Sequence, residues 1–347
     1  AEVSIEDMIP DEQVVITISH AGYIKRTRLA EYRSQYRGGV GARGSSTREE
    51  DFLENIFTAT NHNWLLIFTK LGKCFWMRIF EVPEGSKQSK GRAIQNLISI
   101  GLDDKVLAYI PVKDIKDPEY ANANYVVLST KLGLIKKTSL EAYSRPRTNG
   151  INAVTIREGD ELLQARLTDG DSEVIIGLKS GKAIRFNESK TRAVGRTAMG
   201  VKGITLGSPD DEVIGMVCVN DSESSILVVS SNGYGKRSAV DDYRITNRGG
   251  KGVKTLQITE KTGELISILN VTNEHDLMIV NKSGITIRMA VEDLRVMGRA
   301  TQGVRLISLR GKDEIASVCR VPKADDEEEA VEGAEGEQPE GEQPEES

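Results

Sequence analysis

The sequence predicts an all-β protein made of six radially packed, four-stranded blades. Three observations predict it. Six segments share one order: an apolar run, a polar pair, a glycine, then a run holding basic residues. The marker glycines Gly22, Gly72, Gly133, Gly181, Gly233 and Gly284 are separated by 50, 61, 48, 52 and 51 residues. A second glycine (Gly41, Gly91, Gly150, Gly200, Gly252, Gly303) follows 19 residues later in five repeats and 17 in the third. Amphipathic helical periodicity is weak throughout. Self-similarity at a fixed period identifies a repeat architecture, and four-stranded units of about 50 residues are blades of a propeller-like array.

The elements follow in chain order within each repeat. The β-branched runs on either side of Ser180-Gly181, Asn232-Gly233 and Ser283-Gly284 predict a hairpin, with glycine supplying the positive φ of the turn. A short third strand follows the second glycine, as in Gly252-Val253-Lys254-Thr255 and Gly303-Val304-Arg305-Leu306. An acidic turn then opens a fourth strand: Glu161-Leu162-Leu163, Glu212-Val213-Ile214, Glu264-Leu265-Ile266 and Glu314-Ile315-Ala316. One such unit cannot bury both of its faces alone, so the six pack against one another. The opening segment Glu2-Val3-Ser4-Ile5 is expected to add a strand that closes the ring against the last blade.

Composition bounds the class. The 347 residues are 38% apolar and 28% charged, which suits a soluble globular protein. With 33 glycines and only 9 prolines, many tight turns are expected. No apolar run reaches the ~18–20 residues of a membrane helix, and the N-terminus shows no secretory pattern. Cys74, Cys218 and Cys319 are scattered and form neither a disulfide framework nor a zinc spacing, as in a reducing cytoplasm. The net charge of −6 conceals an uneven distribution. Residues 324–347 hold 12 of the 52 acidic residues and no Lys or Arg, so 40 acidic residues face 46 basic ones in the body, a balance of +6. The division expected is a folded body over 1–323 and a disordered acidic tail over 324–347. The tail either solubilises the body or competes with a polyanion for it.

The basic residues recur in register. Four positions after each marker glycine stand Arg26, Trp76, Lys137, Arg185, Arg237 and Arg288, and Lys25, Lys136 and Lys236 stand three after it. A cation repeated on each blade predicts a track along the rim, suited to a phosphate backbone; edge protection of exposed strands is the plainer alternative. Aromatics are few and do not interleave with the cations, which disfavours single-strand binding by base stacking. Glycine-rich segments offer backbone N–H groups beside cations: Gln35-Tyr36-Arg37-Gly38-Gly39-Val40-Gly41-Ala42-Arg43-Gly44 in the first repeat and Arg248-Gly249-Gly250-Lys251-Gly252 in the fifth. Neither is a nucleotide P-loop. The first repeat then departs from the others, with a polar stretch over 42–50 where a strand is expected. His20, His62 and His275 are isolated, without metal-ligand spacing, and no nucleophile–base motif occurs.

These features resemble the C-terminal domain of the DNA gyrase A subunit over essentially the whole chain. The family's box reads Gln, basic, Arg, Gly, Gly, basic, Gly. Here Gln35, Arg37, Gly38, Gly39 and Gly41 match, while Tyr36 and Val40 replace the basic positions; Arg33, Arg43 and Arg48 lie nearby. The stretches Asn232-Gly233-Tyr234-Gly235-Lys236-Arg237 and Gly298-Arg299-Ala300-Thr301-Gln302-Gly303-Val304 are also similar to the family. The resemblance implies a six-bladed β-pinwheel with strands exchanged between blades, which wraps duplex DNA on its rim. It implies no catalysis in this chain, since the family's catalytic tyrosine lies in an N-terminal breakage-reunion region. It implies no cofactor here, the holoenzyme using ATP and Mg²⁺ on other domains, with the N-terminal region of the gyrase A protein and the gyrase B protein as partners. The DNA-binding set expected is Lys25, Arg26, Arg33, Gln35, Arg37, Gly38, Gly39, Gly41, Arg43, Lys136, Lys137, Lys182, Arg185, Lys236, Arg237, Arg248, Lys251, Arg288 and Arg299. The C-terminal domain of the topoisomerase IV A subunit and a protein-interaction propeller remain the alternatives.

Overall fold

Each repeat begins as the expected hairpin. In the fifth, Ser225–Ser230 pairs antiparallel with Tyr234–Ala239 across a turn in which Gly233 holds φ 91°. The structure is a computed structural model and describes residues 3–35, 51–86 and 88–323. The strand opened by the acidic turn, Leu265–Val271, pairs with the first hairpin strand and lines the centre of the molecule. The two-residue strand after the second glycine does not join its own blade. Val253–Lys254 pairs with Lys182–Asn187 of the preceding repeat, with Lys182 opposite Lys254 and Ala183 opposite Val253. The same exchange places Arg92–Ala93, Ile151–Asn152, Val201–Lys202 and Val304–Arg305 on the outer edges of blades 1, 2, 3 and 5.

The second glycine is required by this exchange. Gly252 sits at φ 77°, and a Cβ there would lie 2.5 Å from the Ala183 carbonyl oxygen. The incoming chain can approach its neighbour that closely only without a side chain.

Both faces of the hairpin strands are apolar because both are covered. Val174–Leu178 and Ser225–Ser230 are buried at every position. Alternate residues feed separate apolar layers, one between each pair of successive blades. Phe68, Val126 and Tyr143 pack between blades 2 and 3, and Ile175, Ile226 and Leu265 between blades 4 and 5. The last layer, with Met278, Cys319 and Val321 against Leu53 and Ile56, joins blade 6 to blade 1.

Three local departures from the sequence-based expectation stand out. Val3, Ser4 and Ile5 are not a strand; a 3-10 turn over Glu6–Met8 follows them, and blade 6 has three strands among the described residues. A short α-helix, Leu29–Gln35, follows the first hairpin where the later repeats have a single 3-10 turn. A second, Pro118–Ala123, fills part of the long spacing between Gly72 and Gly133. Pro118 at its first turn and Asp117, which accepts from the Glu119 N–H at 3.0 Å, fix its start.

Candidate nucleic-acid interface

The residue four after each marker glycine reaches into the next repeat. Arg26 donates to the carbonyls of Val82 (3.1 Å) and Phe80 (3.4 Å). Trp76 Nε1 donates to the Tyr143 carbonyl at 2.9 Å. Lys137 pairs with Glu188 at 3.0 Å. Arg185 donates to the carbonyls of Val240 (3.0 Å) and Tyr243 (3.2 Å), and Arg237 to that of Val291 (3.3 Å). In each case the acceptor lies at the 3-10 turn of the following repeat, whose terminal carbonyls lack partners of their own. In blade 6, Arg288 pairs with Asp276 (2.9 Å) and donates to the Pro322 carbonyl (2.8 Å). The register therefore selects an N–H donor that ties one blade to the next, and the indole of Trp76 satisfies it as well as a guanidinium.

The lysines one residue earlier act similarly on the following loop. Lys25 donates to the Ser86 and Ser89 carbonyls at 2.8 and 2.9 Å. Lys136 donates to the carbonyls of Ala153 and Arg196, and Lys236 to those of Arg299 and Thr301. Burial, then the charge of Arg196, pulls the Lys136 ammonium down to about 7; burial and Arg299 pull Lys236 down to about 8. This corrects the expected cation track. Lys136, Lys137, Arg185, Lys236 and Arg237 are buried (1–8% exposed). Lys25, Arg26 and Arg288 are half-buried and spent on internal contacts. An ammonium or guanidinium saturated by carbonyls inside the fold cannot also form an exposed rim.

The remaining expected residues divide into three groups. Lys182 and Lys251 are exposed on the outer edge. Arg248 and Arg299 are half-exposed and bond outer-strand carbonyls: Arg248 that of Lys202 (3.1 Å), Arg299 that of Lys254 (2.7 Å). Arg33 and Gln35 belong to the helix Leu29–Gln35, whereas Arg37, Gly38, Gly39, Gly41 and Arg43 lie outside the described residues, as does the stretch 324–347.

A second cation register, which a strand-centred reading of the sequence misses, is exposed. Eight and four residues before the second glycine stand Arg192 and Arg196, Arg244 and Arg248, and Arg295 and Arg299. The same spacing gives Arg33 and Arg37 in the first repeat. Arg192, Arg244 and Arg295 are exposed and their side chains make no hydrogen bond or ion pair among the described residues. Each adjoins a bridge that links its loop to the preceding blade: Lys137 to Ala193, Arg185 to Ile245, Arg237 to Val296. Beside them the exchanged outer strands expose Arg92, Lys202, Lys254 and Arg305. The outer edge thus carries solvent-facing cations on blade after blade, interspersed with carboxylates such as Asp241, Asp242, Glu292 and Asp293 on the 3-10 turns.

Six four-stranded-type units closed around a centre, with outer strands exchanged and a cation-bearing edge, define a β-propeller of the strand-exchanged kind. The chain belongs to the family described as DNA gyrase C-terminal domain, beta-propeller, which matches residues 13–60, 63–113, 124–169, 179–220, 224–272 and 275–321, one segment per blade. It is 46% identical over 322 residues to the DNA gyrase A protein of Staphylococcus epidermidis, covering 92% of this chain and 36% of that protein. It is 47% identical over 328 residues to the DNA gyrase A protein of Staphylococcus aureus, covering 94% and 36%. The chain therefore spans little more than a third of these relatives. Its fold matches the solved C-terminal domain of DNA gyrase A (TM-score 0.74, 22% identity, 89% of this chain and 100% of that one). It also matches the C-terminal domain of DNA topoisomerase IV (TM-score 0.72, 24% identity, 94% and 99%).

Proposed function

We propose that this chain binds duplex DNA along its outer edge and wraps it, as the C-terminal domain of a DNA gyrase A protein. The observation that carries the reading is the exposed arginine at one register of three successive repeats, Arg192, Arg244 and Arg295, flanked by Lys202, Lys254 and Arg305 on the exchanged strands. Evenly repeated cations complement an evenly charged polyanion, and each phosphate neutralised releases condensed counterions. Contacts of this kind position a duplex without reading its bases, so binding is independent of sequence. Bending 20–30 base pairs costs about 1–6 kcal/mol, which contacts on several blades together offset.

On this reading the chain performs no catalysis and holds no cofactor of its own. It presents wrapped DNA to the breakage-reunion region of the gyrase A protein, while the gyrase B protein hydrolyses ATP, in the cytoplasm. The isolated domain is a monomer. The test is ligation of nicked circular DNA with the chain bound, followed by deproteinisation and topoisomer analysis. A shift toward positive linking number is expected. No shift with gel-shift binding intact would replace wrapping by a bending or delivery role of the kind the topoisomerase IV resemblance implies. No binding at all would leave a protein-interaction propeller.

A further inference from the structure

The third repeat is two residues shorter between its glycines than the other five. Beside that shortened segment, at the outer edge of blade 2, the surface opens into a cavity of about 460 Å³. Three separate parts of the chain converge on it. Lys73 begins the second hairpin strand and pairs in register with Asn152 of the exchanged strand. Arg145 and Arg147 come from the shortened segment, and Arg196 and Thr197 from the loop of the following repeat. No carboxylate lines the cavity. Arg145 shares its charge with Glu141 at 2.7 Å. Arg196 spends one nitrogen on the Asn152 carbonyl at 2.7 Å, which fixes its guanidinium at the cavity wall. The side chains of Lys73 and Arg147 are exposed and make no hydrogen bond or ion pair among the described residues.

The site differs from its counterparts around the ring. The second residue of the exchanged strand is basic in blades 3, 4 and 5 (Lys202, Lys254, Arg305) but is Asn152 here. Blade 2 thus gathers its cations around a hollow instead of projecting one from the strand. The positive field extends inward, where the charge of Arg196 joins burial in lowering the Lys136 ammonium behind it. Clustered like charges facing a cavity are relieved by an anion, and a phosphate group with several acceptor oxygens suits mixed Lys and Arg donors.

We propose that this cavity is an anion site that receives one phosphate group, held by Lys73, Arg147 and Arg196. The phosphate comes either from a duplex backbone, in which case the site is an anchor within the rim path proposed above and rests on that reading, or from a small phosphorylated ligand. Inorganic pyrophosphate and a 40-base-pair duplex probe the two sources separately on the full chain. The variant is Lys73→Gln with Arg147→Gln, and the control is Lys254→Gln on blade 4. Both altered residues in the variant are solvent-exposed, so a wild-type melting temperature verifies folding.

Saturable pyrophosphate binding by calorimetry, weakened about tenfold or more in the variant and unchanged in the control, supports the site. A fall of about 1.8 in the slope of log affinity against log salt for the duplex, at ~0.9 per phosphate contact, supports it and assigns the backbone as source. A pyrophosphate effect without a duplex effect supports the site and assigns a small ligand. If the wild type fails to bind duplex at all, the wrapping reading falls and the pyrophosphate isotherms alone decide the site. The proposal is overturned if the double variant leaves the pyrophosphate isotherm and the duplex salt slope as they are in the wild type.

Discussion

At the scale of single residues, the informative position is the one four after the marker glycine, where five cations and a tryptophan serve one purpose. All are donors, and among the first five repeats each ties its blade to the next. A buried acceptor left without its donor costs about 1–3 kcal/mol. Trp76→Phe strands one carbonyl and is expected to lower stability by about that much. Arg237→Met strands the Val291 carbonyl, Ser225 and Asn273, and its loss should reach at least about 3 kcal/mol. Urea denaturation reads both, and duplex affinity of the folded variants should hold; a selective loss of affinity with stability intact would restore these residues to the binding surface. Arg192, Arg244 and Arg295 should behave in the opposite way. Changing all three to Gln should alter stability by no more than about 0.5 kcal/mol and lower the salt slope of duplex binding by about 2.7. The sequence displayed the inner register but not its burial, because both faces of these strands are covered and period-2 alternation cannot mark an outside. Trp76 was the available clue: the residue shares with arginine an N–H donor, not a charge. The outer register was equally legible, eleven residues past each marker glycine, but it falls in connecting loops beyond the strands that set the repeat.

At the scale of elements, the hairpins and the strands opened by acidic turns were readable because apolar runs and turn residues specify them locally. The partner of the exchanged strand was not. Two residues carry no register, and the pairing of Val253–Lys254 with Lys182–Ala183 is imposed by the approach that Gly252 permits. Gly252→Ala meets both a positive φ and the Ala183 carbonyl, so it is expected to destabilise the chain by more than the ~1 kcal/mol of an ordinary helix or strand glycine exchange. Hydrogen exchange should locate the damage at the outer edge of blade 4; uniform loss across all blades would argue against a local exchange contact. The sixth hairpin carries a pH-sensitive turn. His275 Nδ1 accepts from the Thr272 N–H at 3.0 Å, which requires an unprotonated nitrogen there, and burial followed by the charge of Arg320 lowers its pKa to about 4. Between that value and the ordinary 6.5 the unfolded chain binds a proton that the folded blade does not. Stability is therefore intact above about pH 6.5 and falls as the pH drops toward 4. The melting temperature should decline over that window, and less so in His275→Asn, which keeps an acceptor but does not titrate; equal declines would remove His275 as the cause.

At the scale of the whole molecule, the ring of blades and the acidic stretch carry opposite charge on one chain. The body over 1–323 holds all 46 basic residues against 40 acidic ones, and residues 324–347 add 12 acidic residues and none that are basic. A polyanion joined to a cationic edge is present at high effective concentration, and it is drawn to the same side chains as the duplex. Its influence is electrostatic and so depends on screening, with a Debye length of ~30 Å at 0.01 M salt and ~3 Å at 1 M. Removing residues 324–347 is expected to raise duplex affinity by about tenfold at low salt, with the curves for the two chains converging as salt increases. The outer-register variant should narrow that difference, because it removes arginines for which the tail and the duplex compete. Fluorescence anisotropy across a salt series reads all of this. Equal affinities at the lowest salt would confine the acidic stretch to a role in solubility. A constant affinity ratio at every salt concentration would point instead to a contact that screening does not reach.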